Sequence, residues 1–147
     1  MDLKKDLTSS RGAGTTFFHE HGHLIDFSNP KLVSVNQDFT TALIKQFMKS
    51  NSLKSKKEAY SRIGYELHDK GDITSSVSDI FGEFSKNKII GGWRHEDSYW
   101  KHAPRLINAE VFAHFYEAQF DKDRLNVLKS YFPKSTQVFS NDLGGLL

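Results

Sequence analysis

The ten residues from Phe17 to Asp26, FFHEHGHLID, constrain this chain more than any other stretch, because the chemistry they suggest requires a helix. On a helix, residues four apart lie about 40° apart in azimuth and one turn apart in height, so His19 and His23 can bring two imidazoles to one point. Glu20, one step beyond His19, falls at the edge of that face, where its carboxylate can reach a water on a metal without binding the metal itself. His21 is two residues from either neighbour and points elsewhere. Phe17 and Phe18 can anchor this helix in a core. Gly22 sits in mid-helix, where glycine costs about 1 kcal/mol relative to alanine, so a close packing partner is expected against it.

Two histidines do not complete a catalytic zinc site, which takes a third protein ligand and an open position. The chain has no cysteine, so disulfides, thiolate-held zinc and thiol catalysis are excluded, and the third ligand must be His, Asp or Glu. Glu110 is the first candidate. It lies in Asn108 to Glu117 (NAEVFAHFYE), where Glu110, His114 and Glu117 share one helix face while Val111, Phe112 and Phe115 can bury another. Asp26 is the competing ligand, three residues after His23. It ranks lower because a ligand from a separate helix closes the coordination geometry more naturally, and Asp26 can instead orient an imidazole from behind.

The remaining sequence reads as one mainly α domain over residues 1–147, with residues 1–14 as a tail or connecting segment. Helices are expected from Thr15 or Thr16 to about Phe27, after Asp38, over about Lys56 to Asp69, and over Ser75 to Phe84. Ala103-Pro104 should open a long helix to about Phe120, followed by helical pieces over Asp121 to Tyr131 and Pro133 to Asn141. Asn87 to Gly92 (NKIIGG) is the best candidate for a strand or extended segment. No apolar run reaches the roughly 20 residues a membrane span needs, and Met1 to Ser10 lacks the apolar middle of a signal peptide, so a soluble, cytoplasmic or virion-associated protein is expected. The net charge of +2 and the basic cluster Lys54-Ser55-Lys56-Lys57 read as a solvated helix face, not a nucleic-acid footprint.

His19 to Asp26 together with Ala109 to Ala113 (AEVFA) resembles the metal site of the gluzincin peptidases, in particular the catalytic domain of anthrax lethal factor. Arg124 to Lys129 and Pro133 to Phe139 are similar to the closing helices of that domain. A looser likeness, carried by Ser78 to Gly82, Gly91 to His95, Tyr99-Trp100 and Tyr131 to Pro133, extends to the zincin-like C-terminal domain of phage minor capsid proteins and related toxin-like proteins. The resemblance implies an α+β zincin-like fold with His19, His23 and Glu110 as zinc ligands and Glu20 as general base. It also implies a peptide or protein substrate, and other regions of a longer phage or toxin-like protein as partners. Two departures accompany it. The tyrosine that lethal factor carries seven residues before its ligand glutamate is Ala103 here, and the nearest tyrosine, Tyr99, lies eleven before. Only 18 residues precede His19, so the sheet that zincins place ahead of this helix is expected to be reduced, or the domain to be cut from a longer protein.

The expected activity is zinc-dependent peptide hydrolysis, with Glu20 moving the proton and Tyr99 or His95 helping the oxyanion. The rival expectation is a non-catalytic phage or mobile-element domain whose zinc is structural or whose site is degenerate.

Overall fold

The computed structural model describes residues 3–8, 14–28, 38–70, 81–82, 85, 87–89, 96–102 and 106–144. Eight α-helices have both ends among them: α1 (Leu3–Leu7), α2 (Thr15–Ser28), α3 (Asp38–Ser50), α4 (Lys56–Lys70), α5 (Asp97–His102), α6 (Leu106–Glu117), α7 (Lys122–Tyr131) and α8 (Pro133–Gly144). A 3-10 turn, Ala118–Phe120, joins α6 to α7. No strand occurs among the described residues, so the architecture there is helical.

Local chemistry accounts for most of the boundaries. Gly14, at φ 75°, turns the chain into α2 in the left-handed region that glycine enters without penalty. Its carbonyl accepts the first helical hydrogen bond, from the Phe18 N–H at 2.9 Å. Asp121 caps α7, its side chain accepting from the N–H groups of Asp123 and Arg124 at 3.0 and 3.1 Å. Pro133 opens α8 at its first position, where an N–H would have no partner within the helix. Within residues 1–14, expected as a tail or connecting segment, Leu3–Leu7 form α1. The expected helix from Ala103 to Phe120 starts at Leu106 among the described residues and tightens to 3-10 geometry after Glu117. The expected strand at Asn87 to Gly92 is a correction in part: Asn87 to Ile89 form a bend, with Asn87 at φ 59°, while residues 90–92 lie outside the described residues. A bend of this kind exposes no straight ladder of backbone groups. Of the expected helix over residues 75–84, Phe81 and Gly82 are helical and the rest lies outside the described residues.

Helix α6 runs through the middle. Every residue from Asn108 to Ala118 is buried, as expected of a helix with neighbours on all sides. One side of it, Val111, Phe112 and Phe115, enters an apolar cluster with Ile44 and Phe47 of α3, Ala59, Ile63 and Leu67 of α4, Leu128 and Tyr131 of α7, Phe132, and Phe139 of α8. Phe139 packs its ring on Phe112 and Phe115, with centroids 5.0 and 5.6 Å apart. Polar clasps pin the periphery. The Gln46 side-chain oxygen accepts from the Ser135 N–H and hydroxyl at 3.1 and 2.9 Å, and the Tyr131 hydroxyl donates to Glu66 at 2.8 Å.

The other side of α6 faces α2. A Cβ built on Gly22 would lie 3.0 Å from the Ala113 Cα and 3.0 Å from the Tyr116 Cβ, so the two helices touch backbone to backbone there. The mid-helix glycine is the condition for that approach, and the approach brings the histidines of α2 to the acidic stripe of α6. Among the described residues no helix is long and apolar enough to cross a membrane.

Candidate metal centre

His19 and His23 of α2 and Glu110 of α6 converge on one point. The two Nε2 atoms are 3.2 Å apart, and Glu110 Oε2 lies 3.2 Å from that of His19 and 3.4 Å from that of His23. Four ligands held tetrahedrally about 2.0–2.1 Å from a zinc ion are about 3.3 Å from one another, so this triangle has the dimensions of one face of such a tetrahedron. The donor set, two imidazole nitrogens and one carboxylate oxygen, suits a borderline divalent ion. The groups can therefore hold a metal ion. All three side chains are largely withdrawn from water, at 14%, 16% and 8% exposure for His19, His23 and Glu110.

The charges are arranged to match. Burial alone would raise the Glu110 pKa, but hydrogen bonds from His19, His23 and Tyr99 outweigh it and hold the carboxyl well below the usual range. Burial and the neighbouring His114 both oppose a charge on His19. The carboxylates of Glu110 and Glu117 override them, and the His19 pKa is raised. Each His19 ring nitrogen faces a carboxylate: Nε2 lies 3.2 Å from Glu110 and Nδ1 3.1 Å from Glu117.

A pH dependence follows. A histidine whose pKa is raised on folding stabilises the fold fully below its unfolded value of 6.5 and loses that contribution as pH rises through the folded pKa. Thermal melts of metal-free protein should lose this increment on the alkaline side of 6.5. Metal affinity measured over the same range should rise, because the proton must leave before the ion binds. An apparent affinity that does not change over that window would contradict the assignment of His19.

Tyr99, on α5, donates its hydroxyl to Glu110 Oε1 at 2.6 Å. It is thus at the site although it lies eleven residues before the glutamate, and the short helix α5 makes up the difference in reach. With Oε1 engaged by Tyr99, Oε2 alone faces the imidazoles. Glu20 is exposed, about 100° around the helix from His19 and about 60° from His23, clear of the triangle. His21 turns away, its Nδ1 paired with the Tyr116 hydroxyl at 2.8 Å and its ring stacked on Phe17. Asp26 is fully buried and belongs to neither of the two histidine and acid groups that can hold a metal among the described residues. His23 Nδ1 has no hydrogen-bond partner there, so no orienting acceptor from Asp26 is seen. His95 lies outside the described residues.

Sequence reasoning placed Glu117 on the same stripe as Glu110 without giving it a role, and did not connect Arg124 to the site. Glu117 is 1% exposed, and its Oε1 pairs with Arg124 at 3.4 Å and His114 Nδ1 at 3.5 Å. Burial would raise its pKa, but His114 and His19 lower it to about 2. Spacing along α6 could have shown that Glu117 faces α2. Nothing in the sequence marks Arg124, which reaches the site from the next helix. Comparison with protein-family models, with curated proteins and with solved structures finds no match.

Proposed function

We propose that this chain is a zinc-dependent peptidase with a gluzincin-like centre on a zincin-like fold of reduced sheet. The observation that carries the reading is the triangle of His19 Nε2, His23 Nε2 and Glu110 Oε2, with edges of 3.2, 3.2 and 3.4 Å. Three members, and no fourth His, Asp or Glu grouped with them among the described residues, favour an open position over the closed set of a structural site. Zinc, when bound there, would polarise a substrate carbonyl and lower the pKa of a water towards about 7.

The chain's own groups do the rest. His19 and His23 bind through Nε2 and Glu110 through Oε2, while Tyr99 keeps Oε1 occupied and the carboxylate single-toothed. Glu20 takes a proton from the attacking water as the new C–O bond forms. It then delivers that proton to the leaving nitrogen as the C–N bond breaks, giving a carboxylic acid and an amine. Should the Tyr99 hydroxyl help the developing oxyanion, its one hydrogen would turn from Glu110 Oε1 to the substrate oxygen.

The test is metal removal. Cleavage of a mixed-sequence peptide library should stop when the protein is stripped with a chelator and return on addition of one equivalent of zinc. Cleavage that continues in chelator, or protein that takes up no zinc, would overturn the reading.

A further inference from the structure

Among the described residues two groups have the composition of a metal cage, and they share His19: His19, His23 and Glu110 on its Nε2 side, and His19, His114 and Glu117 on its Nδ1 side. Their surroundings differ. Beside the second group stands a buried guanidinium, Arg124, 4% exposed, with NH1 3.4 Å from Glu117 Oε1. Its position is set by the first turn of α7, since Nε lies 3.4 Å from Asp121 Oδ2 and the same aspartate caps the helix through the Arg124 N–H. The carboxylate of the first group meets His19 and His23 at 3.2 and 3.4 Å and the Tyr99 hydroxyl at 2.6 Å.

We propose that Arg124 is a fixed cation that converts His19, His114 and Glu117 from a second metal cage into the support of the first. A guanidinium at hydrogen-bond range already neutralises Glu117 and repels a second positive ion from the same carboxylate. Glu117 is left as an anion with one oxygen on Arg124 and the other on His19 Nδ1. A neutral imidazole has one N–H, and the partner of one nitrogen decides which nitrogen carries it. Glu117 draws that hydrogen to Nδ1 and leaves the Nε2 lone pair for the ion. The burden falls on His19, because His23 Nδ1 has no such acceptor among the described residues. In this arrangement Glu117 and Arg124 are positioning residues: neither touches substrate or ion. The inference rests on the zinc reading above and adds to it a single-ion stoichiometry with a named cause.

The experiment is zinc titration with analysis of bound metal, together with nitrogen-detected NMR of the histidine rings in the zinc-loaded full chain. The wild type should bind one equivalent, with His19 metal-bound at Nε2 and protonated at Nδ1. Glu117→Gln should weaken zinc binding about 10–100-fold, as loss of an orienting partner does. Arg124→Met should admit a second, weaker equivalent and lose the Nδ1 proton when that equivalent binds, whereas Arg124→Lys should stay at one. Two equivalents in the wild type, or a loaded His19 without a proton on Nδ1, would overturn the proposal even if no variant folds. So would an Arg124→Met protein that folds and still binds only one. A protein that binds one zinc as described yet cleaves no peptide sinks the peptidase reading alone, and one that binds no zinc sinks both.

Discussion

Replacing Glu20 by glutamine should leave zinc binding at the wild-type level and lower peptide hydrolysis by about 10²–10⁴-fold, the usual contribution of a positioned proton-transfer group. The substitution keeps size and shape and removes only the capacity to accept a proton. Glu20 is exposed and stands outside the His19, His23 and Glu110 triangle, so neither folding nor the donor set should notice the change. The variant therefore separates chemistry from metal binding. The loss should fall on kcat with little change in KM, because the carboxylate acts on the reacting water and not on the peptide's side chains. A Glu20→Gln protein that binds zinc and cleaves the library as fast as its parent would remove Glu20 from the mechanism. If neither protein cleaves while both bind zinc, the non-catalytic domain is the better description.

The largest effect on the fold is expected at Gly22. In an isolated helix, glycine to alanine gains about 1 kcal/mol. Here the new methyl would stand 3.0 Å from the Ala113 Cα and 3.0 Å from the Tyr116 Cβ, one a backbone atom and the other bound directly to it. Neither can swing aside, so α2 and α6 must separate, and overpacking of this kind typically costs about 1–3 kcal/mol. Gly22→Ala should accordingly come out close to neutral or mildly destabilising, whereas Gly22→Leu should cost about 3 kcal/mol or more. The site should suffer more than the fold, because the separation moves His19 and His23 together away from Glu110. Zinc affinity should therefore fall in Gly22→Ala even where its melting temperature barely moves. A Gly22→Leu protein that melts and binds zinc like the wild type would show that the close approach does not set the site.

Much of this site could be read from spacing alone. The His19 and His23 pair follows from helical geometry, and Glu110 was separable from its rival Asp26 by the argument that a second helix closes a coordination sphere better than a longer stretch of the first. The mid-helix glycine gave away the existence of a close partner but not its identity. What stayed hidden depends on how helices meet. Tyr99 reads as a candidate for the oxyanion, but its bond to Glu110 is not expected from the sequence, and only the placement of α5 brings its hydroxyl there. Arg124 reads locally as one more charge in an amphipathic helix, and its 4% exposure is a property of the assembled molecule. The segment Asn87 to Gly92, with its Ile89-Ile90 pair, reads as extended, yet the chain bends over Asn87 to Ile89, with Ser85 Oγ accepting from the Ile89 N–H at 2.9 Å. That side-chain bond offers the backbone an alternative to a ladder.

The contact between His19 and Glu110 spans 91 positions along the chain. Closing a loop of that length is an entropic cost met before any coordination bond can form, and such distant pairings tend to arrive late. An ion bound as proposed would therefore have no early nucleus to seize. It would select molecules in which the two halves have already come together, and by mass action withdraw them from the unfolding equilibrium. Under that reading zinc occupancy would be a certificate of completed topology, and a chain trapped with its halves apart would reveal itself by failing to take up the metal.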